Sequence, residues 1–258
     1  MNSVWLIARS VLIEAVRRKE IYAIILISVL IIGAVMTVDF FEIEGLTKFY
    51  REMALKIMSI AAALTVIVLS CRQLPREFEN RTIYPLLAKP VSRFAFLTGK
   101  LVGVLLAAAF CFGLFMLIFI LGTFYLGGTI PWIHFAEYVY LQMIMMAVLT
   151  TLGFLLSLIV NLDAAITLGI LIYITSNMLT TGIMFIYDFV NAFGKAALLF
   201  LTYFIPQLTL FDFSGKTVHA AKWEPLGIET LASLTIYGFI FIAVYFALSG
   251  ILFRRKAL

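Results

Sequence analysis

Six long, uninterrupted apolar runs constrain this 258-residue chain more than any other feature of its sequence. They cover residues 21–38, 54–71, 101–121, 138–160, 164–187 and 230–253. Each is close to the ~20 residues that a helix needs to cross the hydrocarbon core of a bilayer. Barrel strands would instead alternate in polarity over about ten residues. We therefore predict an all-α polytopic membrane protein, with six transmembrane helices in a single transmembrane domain over residues 1–258.

The composition agrees with burial in lipid. Hydrophobic residues make up 64% of the chain and charged residues 13%, and the mean hydropathy is +1.10. A soluble domain has roughly 45–50% apolar and about 25% charged residues. A water-soluble globule and a disordered chain are therefore excluded. The two cysteines, Cys71 and Cys111, both lie inside apolar runs, so no disulfide framework is expected.

The distribution of basic residues predicts the orientation. With a cytoplasmic N-terminus, 13 of the 19 Lys and Arg residues and 5 of the 14 Asp and Glu residues fall on the inner side. This asymmetry follows the positive-inside rule and predicts a multi-pass protein with both termini in the cytoplasm. We expect its location to be a bacterial or archaeal cell membrane. The basic pI of 9.2 then reflects topology and contact with anionic lipids. It gives no reason to expect a nucleic-acid partner.

Two short helices are predicted outside the spans. Residues 2–19 form an amphipathic pattern that suits a helix lying flat on the inner leaflet, with Trp5 at the interface. The alternative is a cytoplasmic extension of the first span. In the outer segment 188–229, the apolar run 196–205 has only ten residues. It is too short to cross, so we expect an extracytoplasmic re-entrant or interfacial helix.

The long inner loop, residues 72–93, is predicted to contain a short charged helix that begins at Pro75. Glu77 and Glu79 would then lie near its positive N-terminal end, and Phe78 and Ile83 would supply apolar contacts. Such a helix could dock on a partner protein, or it could be a solvated connector. The residues alone leave both interpretations open.

The loop sequence also carries a resemblance. It reads Glu-x-Glu-Asn-x-Thr-Ile-x-x-Leu-Leu-x-x-Pro-Val-Ser-Arg from residue 77 and is followed by Gly-Lys and an apolar span. It resembles the inner loop of ABC-2 type permeases, which are transmembrane subunits of ABC exporters. The resemblance implies that this loop holds the cytoplasmic coupling helix, which fits a cleft on the ATPase subunit. The implied coupling positions are Glu77, Phe78, Glu79, Arg81, Thr82 and Ile83.

The same resemblance implies the partners. They are a separate ABC ATPase subunit, which would bind ATP and Mg, a second permease copy (a homodimer or a related permease), and membrane lipids. The chain itself needs no cofactor and is not expected to be an enzyme. It has no P-loop, because Leu210 occupies the first glycine position ahead of Gly215-Lys216-Thr217.

The fifth run carries a polar stripe that could line a substrate pathway or pack against a neighbouring helix. Its members are Tyr173, Ser176, Asn177, Thr180 and Thr181. Ionisable residues are nearly absent from the spans, which argues against a proton-driven pump. Gly99, Gly103 and Gly153 are interpreted as points of close helix contact.

Two other functions remain as alternatives. An intramembrane lipid-modifying enzyme would need a His–acid cluster at one membrane face. The available residues are His134, His219, Glu137, Asp188 and Asp212. Two histidines without clustered Cys or Asp make a weak metal site, so we expect no metal. The other alternative is a membrane anchor or assembly scaffold that transports nothing.

Overall fold

The predicted all-α fold is confirmed. The computed structural model describes residues 3–17, 19–36, 43–79, 92–186, 189–191, 193–195, 205–220 and 222–255, and none of them forms a strand. The longer helices are α1 (Ser3–Val16), α2 (Lys19–Met36), α3 (Ile43–Glu79), α4 (Arg93–Tyr125), α5 (Trp132–Ile159), α6 (Leu162–Ile186) and α8 (Ile228–Arg255). A 3₁₀ turn, Leu208–Phe211, precedes the short helix α7 (Ser214–Val218).

Four of these helices are long and apolar enough to cross a membrane. They are α3, α4, α5 and α8, each with 28 or more residues in its span. The apolar parts of α2 and α6 are shorter, at Tyr22–Val35 and Leu162–Ser176. The chain is therefore a multi-pass membrane protein.

Helix α3 lies at the centre of the bundle, in contact with α2, α4, α5 and α6. In α3 and α5, 72% of the most apolar stretch is buried, against 39% in α4 and 22% in α8. Polar groups join the two central helices, since Tyr138 donates to Leu55 O at 3.0 Å and Gln142 Nε2 donates to Ser59 Oγ at 3.1 Å. Such bonds between helices stabilise bundles in lipid. The core is therefore built on α3 and α5, while α4 and α8 leave apolar faces outward.

The predicted close contacts at three glycines are confirmed. A Cβ on Gly153 would overlap Ser70 Oγ, where α5 meets α3. On α4, a Cβ on Gly99 would lie 2.8 Å from Ile7 Cβ, and one on Gly103 would lie 2.6 Å from Val11 Cβ. Since real Cβ atoms cannot approach so closely, these positions need glycine to seat α1 and α3 on their neighbours.

The N-terminal segment is a helix of its own. Helix α1 ends at Val16, and α2 begins at Lys19. The hydroxyl of Tyr22 donates to Val16 O at 2.6 Å across this break. One face of α1 packs on α4 and is fully buried at Ala8 and Val11, whereas Trp5 is exposed. The predicted helix over 2–19 is thus observed at 3–16, with α1 and α2 as two separate helices.

The prediction that Pro75 opens a separate helix is wrong. Helix α3 continues through Pro75 to Glu79. Proline lacks an N–H and its ring crowds the preceding turn, which usually interrupts a helix. Membrane helices tolerate it where neighbouring groups satisfy the freed backbone. Glu77 and Glu79 consequently lie at the C-terminal end of a long helix instead of at the N-terminal end of a short one.

Two other predicted elements fall largely outside the described residues. Residues 80–91 of the inner loop are not among them, and neither are residues 196–204 of the predicted outer helix 196–205.

Candidate functional site

A buried ion pair lies where α3 ends and α4 begins. Lys100 Nζ is 2.5 Å from Glu77 Oε1 and 3.1 Å from Gln73 Oε1. The Lys100 residue is only 3% exposed. Its ammonium also lies 5.7 Å from the centre of the Phe96 ring, within the range of a cation–π contact. We call Lys100, Glu77 and Gln73 the Lys100 cluster.

The Lys100 cluster fixes the last turn of α3 to α4. A buried ammonium is tolerated only when an opposite charge and hydrogen bonds compensate its lost hydration. The carboxylate and the amide oxygen supply that compensation, because they stand four residues apart on one face of α3. The end of α3 therefore cannot leave α4 without exposing or unpairing a charge.

The other side of the inner loop is also anchored. Ser92 caps α4, since its Oγ accepts a hydrogen bond from Ala95 N at 3.1 Å. Arg93 Nη1 donates to Arg254 O at 3.1 Å, which joins the start of α4 to the end of α8. The described residues on both sides of segment 80–91 are therefore held by contacts within the bundle.

A second ion pair at this end of the bundle is more exposed. Arg76 Nη1 donates to Glu14 Oε1 at 2.8 Å and joins α3 to α1, with side chains 48% and 37% exposed. Exposed pairs of this kind contribute about 0–1 kcal/mol. The Lys100 cluster therefore dominates the local energetics.

The sequence as a whole matches one protein family. The model of the ABC-2 family transporter protein matches residues 5–258, which is almost the entire chain. The chain belongs to the ABC-2 transporter family. No curated protein gives a significant match. As an ABC-2 family member, the protein is a membrane component of an ABC transporter, and membership implies association with an ABC ATPase subunit.

Of the six coupling positions that the resemblance predicts, the structure describes the backbone of Glu77, Phe78 and Glu79. Glu77 is an internal partner of Lys100 at the end of α3. Phe78 and Glu79 complete the last turn of α3, and their side chains lie outside the described part. Arg81, Thr82 and Ile83 also lie outside the described residues.

Sequence reasoning missed Lys100 as a partner of Glu77. A signal was available, because a lysine that directly precedes an apolar run must find a counter-charge if it is buried. Glu77 and Lys100 are 23 positions apart in the sequence, so no local pattern identified the pair.

The described members of the polar stripe are buried within the ABC-2 protein. Ser176 Oγ donates to Pro206 O at 2.6 Å and accepts from Leu208 N at 2.8 Å. Tyr173 is 7% exposed. The side chains of Asn177, Thr180 and Thr181 lie outside the described part of α6. These contacts favour the packing interpretation for Ser176.

We expect Ser176→Ala to destabilise the protein by about 1–3 kcal/mol, the cost of leaving a buried backbone N–H without its acceptor. Thermal unfolding in detergent would measure the loss. Ser233→Ala on α8 is a control, because Ser233 is exposed and bonds only within its own helix, to Thr230 O. Equal stability of the two variants would contradict the packing role.

Three of the residues available to the enzyme alternative, His134, Glu137 and Asp212, make structural contacts. His134 Nε2 donates to Trp223 O at 3.0 Å, and Glu137 Oε1 accepts from Leu226 N at 2.9 Å. Asp212 pairs with Lys56 and accepts from Ser214 N. Asp188 lies outside the described residues. Within the described ranges, no three His, Cys, Asp or Glu side chains cluster in a way that could hold a metal.

Proposed function

We propose that this ABC-2 protein is the permease subunit of an ATP-driven exporter and couples to a separate ATPase through residues 76–93. The observation that carries the proposal is the Lys100 cluster at the base of this loop. A force applied to the loop would reach α3 through Glu77, in the last turn of that helix. It would reach α4 through the turn that Ser92 caps. A loosely attached connector would not need a buried ion pair at its base.

The position of α3 gives such a force a wide effect. Helix α3 contacts α2, α4, α5, α6 and the short α7, and it has a mostly buried apolar stretch. Packed cores switch between discrete arrangements more readily than they deform continuously. When ATP closes the ATPase, a shift of α3 and α4 would therefore open or close a route for the substrate. Asn177, Thr180 and Thr181 remain our candidates for lining that route.

We further propose six spans with both termini in the cytoplasm. Helices α2 and α6 would be the two spans that complete the set. The 18 residues of α2 give a length of about 27 Å, close to the ~30 Å hydrocarbon core. The positive-inside asymmetry favours this orientation.

Two copies would pair about a two-fold axis and form the route between them. ATP and Mg²⁺ would bind to the ATPase subunits.

Charge reversal in the loop tests the coupling. We expect Glu79→Lys to abolish co-purification of the ABC ATPase and, with it, ATP-driven export. Asp163→Lys is the matched control: Asp163 is an exposed acid in the first turn of α6, at the predicted inner side of the membrane. It should retain the ATPase. Unchanged recruitment by Glu79→Lys would favour the scaffold alternative.

The side of the membrane can be tested independently. The protein's own cysteines, Cys71 and Cys111, are buried, so a single new cysteine at Tyr84→Cys gives a clean reporter. A membrane-impermeant thiol reagent should label it only after the cells are permeabilised. Labelling in intact cells would place the loop on the exterior and end the coupling proposal.

A further inference from the structure

A basic cleft lies at the end of the bundle opposite the Lys100 cluster. It has a volume of about 500 Å³ and lies between the start of α3, the connection from α4 to α5, and the turn after α7. Arg51 and Glu77 are separated by about 39 Å along α3, at 1.5 Å per residue. The cleft is therefore remote from the coupling loop and has no part in the proposed function.

The lining of the cleft is strongly positive. Lys48, Arg51 and Lys222 supply three cations, and His219 stands beside them. None of the described residues that line it is an acid. A cation cluster without carboxylates attracts anions because its like charges otherwise repel one another.

Other cations at this end of the bundle are already occupied. Lys56 is paired with Asp212, and the Lys216 ammonium lies 4.6 Å and 5.1 Å from the ring centres of Phe213 and Trp223. In the part of the chain that the structure describes, no carboxylate forms a salt bridge with Lys48, Arg51 or Lys222. Among the described residues, the positive charge of the cleft is therefore not compensated by a carboxylate.

Arg51 is fixed in place but keeps unused donors. Its Nη1 donates to Thr129 O at 2.8 Å, which holds the guanidinium against the α4–α5 connection. Thr47 Oγ1 donates to Leu126 O at 3.2 Å and fixes the same connection. The Nε of Arg51 is buried without a hydrogen-bond partner among the described residues. A guanidinium held in this way matches the geometry of phosphate oxygens.

We propose that this cleft binds a phosphate group, carried by an anionic lipid headgroup or by a soluble phosphate. Arg51 would be the fixed donor, and Lys48 and Lys222 would supply charge from flexible side chains. The volume exceeds what a phosphate group alone would fill and lies in the range of ligand pockets, which leaves room for the rest of a headgroup.

Calorimetric titration of the purified chain in an uncharged detergent tests the site. The probes are dihexanoyl phosphatidic acid, inorganic phosphate, and dihexanoyl phosphatidylcholine as a zwitterionic reference. We expect saturable binding of dihexanoyl phosphatidic acid and no comparable binding of the reference. Binding of inorganic phosphate with similar affinity would support the soluble source, whereas binding of the lipid alone would support the headgroup source.

Matched variants separate the site from general electrostatics. Lys48→Gln/Lys222→Gln should weaken the binding about tenfold or more, as expected when charged hydrogen-bond donors are lost. Arg9→Gln/Arg255→Gln removes two exposed cations outside the cleft and should leave the affinity unchanged. Equal weakening by both double variants, or equal binding of all three probes, would overturn the proposal.

Discussion

Glu77→Gln is expected to lower the free energy of unfolding by about 3 kcal/mol, the lower end of the cost of breaking a buried ion pair. The substitution keeps the shape of the side chain and an oxygen that can accept from Lys100. It removes only the negative charge of Glu77. That charge compensates the ammonium of Lys100, whose side chain is 4% exposed. Lys100→Met should cost less, because the Glu77 side chain is 19% exposed and can turn toward water.

The two buried thiols give a direct measurement of this loss. Cys71 lies on α3 and Cys111 on α4, and both are free and buried. A thiol-reactive fluorogenic dye would therefore report the temperature at which these helices unfold.

The double variant Glu77→Gln/Lys100→Met should recover most of the stability that Glu77→Gln loses, since two neutral groups leave no buried charge unpaired.

The neighbouring residue provides a matched control. Arg76 forms an ion pair with Glu14 of similar geometry, but both side chains are well exposed. We expect Arg76→Gln to cost no more than about 1 kcal/mol. If Glu77→Gln were equally mild, Lys100 would not depend on Glu77 for its burial, and the anchoring role of the Lys100 cluster would be lost.

The Glu77→Gln variant should still recruit the ATPase, because the structure gives Glu77 a partner inside the protein.

The central spans were predictable because hydrophobic runs of this length have few other solutions. The run at 54–71 is the buried middle of α3. The run at 101–121 lies within α4, and the run at 230–253 lies within α8. The run at 138–160 extends only one residue beyond the end of α5. The helix ends were not predictable from hydropathy. Helix α3 has 37 residues. It extends beyond the apolar run at both ends, through segments that contain charged residues such as Lys48 and Arg76. A helix continues where its backbone bonds are satisfied, whatever the polarity of its side chains.

The contacts of the candidate sites depend on partners that are distant in sequence. Ser176 binds the backbone at residues 206 and 208, and the basic cleft joins α3 to residues near 130 and 220. No periodic pattern encodes such pairs. The local preference of proline to begin a helix likewise did not fix a helix boundary at Pro75, and α3 continues through it to Glu79.

Gly103→Leu is expected to detach α1 from α4 and to destabilise the protein by about 3 kcal/mol, the upper end of the usual cost of overpacking. A Cβ at this position would lie 2.9 Å from Ala8 O and 3.0 Å from Ala8 Cα. These are backbone atoms and cannot rotate away as a side-chain tip could. The whole of α1 must move, and the buried face at Ala8 and Val11 would lose its contact.

A second glycine on the same helix provides the control. A Cβ on Gly113 would point into open space, with no neighbouring atom within 4 Å, so Gly113→Leu adds the same side chain without a clash. It should be neutral or slightly stabilising, because leucine favours a helix over glycine by up to about 1 kcal/mol. Limited proteolysis at Arg9 and Arg17 would report the release of α1 in Gly103→Leu alone. Equal protection of α1 in both variants would mean that α1 does not depend on its close approach to α4.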